Sequence, residues 1–80
     1  MIKPKKEVKK NTYKAIEKRF KDVFLDIEDS IEVCSELGEF ETSLTYIDLE
    51  FKELQCIADI LDEKGYYTNV SEHVLKIGWR

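Results

Sequence analysis

Eight apolar residues recur at helical spacing in the first half of the chain: Tyr13, Ile16, Phe20, Val23, Phe24, Ile27, Ile31 and Cys34. At 100° per residue they fall within an arc of about 100° that holds no charged side chain. A segment patterned this way has to form a helix with one side committed to a core. Asn11 or Thr12 can cap its start, and Gly38 stands where a left-handed residue ends a helix. The spacing therefore predicts one rod over residues 12–37, about 39 Å long at 1.5 Å per residue.

The remaining elements are shorter. Phe40, Thr42, Leu44 and Tyr46 alternate with Glu41, Ser43, Thr45 and Ile47, which predicts a strand over residues 40–47 with one face on the core. Asp48 is a candidate cap for a second helix over residues 49–64, which Gly65 terminates. Tyr66 to Val70 and Val74 to Trp79 are β-rich runs joined through Ser71, Glu72 and His73, the pattern of a hairpin. The inward set is expected to be Leu75, Ile77 and Trp79, facing Tyr66, Thr68 and Val70 or their neighbours. The order is αβαββ. The expected fold is α+β, with a long N-terminal helix and a second helix on one face of a three-stranded antiparallel sheet whose last strand is central. Residues 1–10 are expected to be a basic arm, either disordered or continuing the helix, and residues 11–80 a single domain.

Eighty residues, 42% hydrophobic and 38% charged, with one Pro and three Gly, exclude a disordered or fibrous chain. They also exclude a large-cleft enzyme, because a domain of this size spends its apolar side chains on its own core. No apolar run reaches the roughly 18 residues of a membrane span, and no signal-peptide core follows the lysines, so a soluble cytoplasmic protein is expected. Cys34 and Cys56 are too sparse for a secreted disulfide framework and are expected to be free thiols within helical apolar patterns.

The net charge of −4 conceals a strong segregation. Residues 1–21 carry nine basic and two acidic side chains; residues 22–63 carry fourteen acids and Lys52 alone. On a single rod, lysines at the start and Asp22, Asp26, Glu28, Asp29, Glu32 and Glu36 later would oppose the helix macrodipole. Two explanations compete with plain solubility: pairing between copies of the chain, as in a homodimer, or docking on a foreign partner. The acids also suit imitation of a phosphate backbone. Asp22, Asp26, Asp29, Glu32 and Glu36 are the candidate partner-binding residues. Lys3, Lys5, Lys6, Lys9 and Lys10 are the candidate nucleic-acid contacts, a reading the acidic body opposes through repulsion. On the second helix, Leu49, Cys56 and Ile60 widen the apolar face to about 220°. Either that helix is wedged between the sheet and the first helix, or those three residues form a subunit interface.

Catalytic chemistry finds little footing. The single histidine, His73, falls in the expected hairpin turn, and neither cysteine has a histidine or a cationic cluster next to it. Zinc-ligand spacings, a calcium loop and a glycine-rich phosphate loop are all missing from the sequence. No enzyme activity, metal or cofactor is expected.

Three segments together carry a resemblance: Leu37-Gly38-Glu39-Phe40, then Leu61-Asp62-Glu63-Lys64-Gly65-Tyr66, then Leu75-Lys76-Ile77-Gly78-Trp79. A long amphipathic helix ending in G-E-F, a helix stopped by L-x-x-x-G-Y and a terminal L-x-I-x-W strand resemble small αβαββ accessory proteins of tailed bacteriophages. The resemblance implies a non-enzymatic viral protein, either one that binds and inhibits a host or defence protein or a minor virion component; a homo-oligomeric structural subunit is the alternative that charge pairing between copies offers. The resemblance assigns no residue a role.

Overall fold

The computed structural model describes residues 1–80. Three helices and three strands follow one another: α1 (Lys5–Arg19), α2 (Lys21–Glu36), β1 (Glu41–Thr45), α3 (Phe51–Glu63), β2 (Tyr67–Ser71) and β3 (Val74–Gly78). The strands form one antiparallel sheet in the order β1-β3-β2, so the last strand is central as the pattern predicts.

The register explains the division between core and solvent. Leu75 lies between Leu44 and Val70, and Ile77 lies between Thr42 and Thr68, all on the face toward the helices. Leu75 and Ile77 are fully buried, and Thr42 is the one buried polar residue. On the opposite face Glu41, Ser43, Thr45, Tyr67, Asn69, Ser71 and Lys76 are exposed. α2 packs over β1 and α3 over β2, on the same face of the sheet, to either side of the central strand. Between them the helices and strands enclose a cluster of Ile27, Leu54, Ile57, Ala58, Leu61, Leu75 and Ile77. Leu49, Val70, Trp79 and the aromatics Phe20, Phe24, Tyr46 and Tyr66 pack around it.

Gly38 and Gly65 end α2 and α3 by the same device. Each has positive φ, 83° and 97°. Gly38 donates to the Ser35 carbonyl and Glu39 to Cys34; Gly65 donates to Asp62 and Tyr66 to Leu61. These are paired Schellman closures, which satisfy carbonyls that a helix end otherwise leaves without partners.

The single rod expected over residues 12–37 is two helices. Phe20 departs from helical geometry at φ −109° and ψ 35°, although its N–H still bonds the Ile16 carbonyl and its own carbonyl accepts from Phe24. No Pro or Gly lies there to break the ladder. The cause is tertiary: α1 packs against α3, whereas α2 packs against β1, and one straight rod cannot follow both. The eight-residue stripe runs through the break, and none of its members is exposed. At the other end the helix reaches back to Lys5, because Pro4 supplies the first carbonyl acceptor, to Val8 at 3.2 Å. Residues 5–10 of the expected arm are thus the first turns of α1.

Three local expectations also change. α3 is capped by Glu50 rather than Asp48, with the Glu50 N–H donating to Glu53 Oε1 at 3.0 Å. Phe40 lies outside β1 and is half exposed, with the Arg80 guanidinium 5.2 Å from its ring centre. Ser71 pairs directly with Val74, so the hairpin turn is the two residues Glu72 and His73. Only Glu72 has positive φ there, 38°, in a position that favours glycine.

Two stability outcomes follow. Ile57→Ala, which empties a fully buried site, should lower unfolding free energy by about 2–5 kcal/mol in urea titration. Glu72→Gly should raise the denaturation midpoint, with a gain of up to about 1 kcal/mol, by removing the left-handed cost of a side chain.

Candidate functional face

The break at Phe20 changes the electrostatics of the N-terminal half. Lys18 and Arg19 lie in the last turn of α1 and Asp22 in the first turn of α2, the signs each helix terminus favours. Part of the conflict with the macrodipole therefore disappears. What remains is at the far ends, with Lys5 and Lys6 opening α1 and Glu32 and Glu36 closing α2.

Part of the charge segregation is also answered inside the molecule. α1 packs along α3 in the reverse direction, so that Arg19 meets Glu53 at 3.3 Å and Lys9 meets Glu63 at 3.7 Å. Lys64, just past α3, reaches Glu17 at 3.7 Å, and Lys3 lies 4.0 Å from Glu7. Sequence reasoning missed these pairs because no local spacing links residues 9 and 63 or 19 and 53. α1 also resolves the two readings of the wide apolar face on α3. Ile60 is 2% exposed, Cys56 is half buried in a crevice with Ile16, Arg19 and Phe20, and Leu49 packs on the core. Ile60 thus has no surface left for a subunit interface, whereas Leu49 and Cys56 are half buried.

The acids of α2 are different. Asp22, Asp26, Asp29, Glu32 and Glu36 are all exposed, and none forms an ion pair. Helical geometry places them within an arc of about 120° on the side away from the core. The only other α2 residues on that arc are Leu25 and Val33, which are 50% and 55% exposed. The resulting face is about 21 Å long, carries no cation, and has apolar side chains set among carboxylates. The five residues expected from sequence therefore do share one surface. Leu25 and Val33 belong to it too, and their position off the apolar stripe was the signal.

Behind this face lies a polar seam between α2 and β1. Ser30 and Thr42 hydroxyls hydrogen-bond across it. The Tyr46 hydroxyl is buried without a hydrogen-bond partner, and its pKa is pushed up to about 12, mainly by burial and further by the negative charge of Asp26.

The candidate nucleic-acid contacts divide. Lys9 and Lys3 are engaged with Glu63 and Glu7, while Lys5, Lys6 and Lys10 are exposed without ion partners. His73 is half buried, its Nδ1 3.3 Å from the Leu49 carbonyl and its own carbonyl accepting from Tyr46. That geometry fastens the hairpin turn to the start of α3. Cys34 and Cys56 are free and half buried. No group of three or more His, Cys, Asp or Glu side chains is placed to hold a metal ion, and no helix is long and apolar enough to cross a membrane. An apolar groove of about 430 Å³ lies between α2 and α3, floored by Phe24, Ile27, Ile31, Leu61 and Tyr66 and rimmed by Glu17, Glu28 and Lys64. Comparison with known proteins finds no matching family model, no matching curated protein and no matching solved structure.

Tyr46 gives a pH signature. The folded chain keeps the phenol protonated up to about pH 12, whereas the unfolded chain releases it near pH 10. Between these values the unfolded state binds fewer protons, so stability falls as pH rises. Denaturation midpoints measured from pH 9 to 12 should therefore drop more steeply for the wild type than for Tyr46→Phe.

Proposed function

We propose that this chain is a non-enzymatic binding protein that docks a basic surface of another macromolecule through the exposed face of α2. The observation that carries this is the set of five unpaired carboxylates, Asp22, Asp26, Asp29, Glu32 and Glu36, with Leu25 and Val33 exposed among them. No intramolecular ion pair involves a residue of α2, so its carboxylates keep their field. Such a field steers a cationic partner into contact. The two apolar side chains then supply the dehydrated contact that makes the encounter last. The resemblance to small αβαββ phage proteins suggests an accessory role in an infected bacterium, with the basic surface belonging to a host or defence protein that is inhibited when covered. Of the arm lysines, Lys5, Lys6 and Lys10 have no ion partner, but the acidic body repels a nucleic-acid strand and disfavours that role for the arm.

The test is capture from a bacterial lysate on immobilised protein. A partner held by the wild type should bind Asp22→Lys/Asp29→Lys/Glu36→Lys at least about tenfold more weakly, since each lost or reversed surface pair contributes up to about 1 kcal/mol. It should bind Glu41→Lys/Glu72→Lys, reversed on the sheet side, as tightly as the wild type. A partner retained equally by both variants would sink the proposal.

A further inference from the structure

Seven of the nine cations in residues 1–21 fall into two groups, Lys5 and Lys21 standing apart. Lys3, Lys9 and Arg19 are matched with carboxylates of their own chain. Lys6, Lys10, Lys14 and Lys18 are exposed, without ion partners, and spaced every four residues along α1. Like charges four apart on a helix repel, and none of these four has a carboxylate within 4.0 Å. The row is about 18 Å long, close to the 21 Å or so of the acidic face on α2. The row and the face of one molecule cannot meet. Only Phe20 joins the two helices, and α1 is held against α3 by Arg19–Glu53 and Lys9–Glu63.

We infer that the acidic face of α2 receives the lysine row of α1 from a second copy of this chain. Each copy has one row and one face, so a two-fold contact makes the same junction twice. Lysine ammonium groups meet Asp22, Asp26, Asp29, Glu32 and Glu36, while their methylene stems lie over Leu25 and Val33. This rests on the reading of α2 as a docking face, and it assigns that face an occupant for when no foreign partner is present. Because the junction is made by exposed charges, it is salt-labile: the screening length is about 30 Å at 0.01 M salt and shrinks to about 3 Å at 1 M.

Sedimentation equilibrium tests it. The wild type should be dimeric at about 0.02 M salt and monomeric at about 0.5 M. Lys6→Glu/Lys10→Glu/Lys14→Glu/Lys18→Glu and, separately, Asp22→Lys/Asp26→Lys/Asp29→Lys/Glu36→Lys should each be monomeric at low salt. Mixed in equal amounts they should form a heterodimer, because the two reversals restore opposite signs at both junctions. If the α2 variant does not fold, carbodiimide cross-linking of mixed light and heavy-isotope wild type replaces it. Cross-links between the lysine row and α2 carboxylates of different copies are then expected. A wild type that is monomeric at low salt overturns self-pairing and leaves lysate capture through α2 standing. Self-association that survives either reversal, or cross-links confined within single copies, overturns it as well. Lysate capture indifferent to the α2 charges sinks the docking reading, whatever the oligomeric state.

Discussion

Burial of the wide apolar face of α3 is the interaction on which the rest of the molecule depends. Leu54, Ile57, Ala58, Ile60 and Leu61 are 4% exposed or less, more than half of the nine buried residues in the whole chain. A domain of 80 residues has little other apolar area to remove from water, so α3 has to be covered on more than one side. The sheet covers it through Leu75 and Ile77, and α1 folds along the flank that holds Cys56 and Ile60. The break at Phe20 is a consequence, since α1 has to reach α3 while α2 stays on β1.

That arrangement sorts the charges. Carboxylates of α3 that lie beside α1 take up some of its cations, which weakens any reading of the basic segment as a free nucleic-acid arm. Exposed pairs of this kind contribute less than about 1 kcal/mol each, so they orient α1 more than they hold it. The carboxylates of α2 lie opposite the core, beyond reach of those lysines, and keep their field. The same packing that pairs Lys9 and Arg19 with α3 leaves Lys6, Lys10, Lys14 and Lys18 without ion partners. Charge that looks like one dipolar rod in the sequence is, in the fold, an internal seam and two outward surfaces of opposite sign.

The α+β class, the central place of β3, the inward pair Leu75 and Ile77, and both glycine stops are written in local patterns: apolar period, strand alternation, and residues that alone tolerate positive φ. The five acids of the candidate face are likewise readable, because a helix fixes which side chains share a side once its core stripe is known. Tertiary contact decided the rest. The helix parts at Phe20 with no local breaker, Ile60 is buried although nothing in its neighbourhood distinguishes it from an interface residue, and Lys9 finds Glu63 across 54 residues. Local spacing encodes the turn of a backbone and the side it presents, whereas which surface lies against which is settled by competition among distant segments to cover the same limited core.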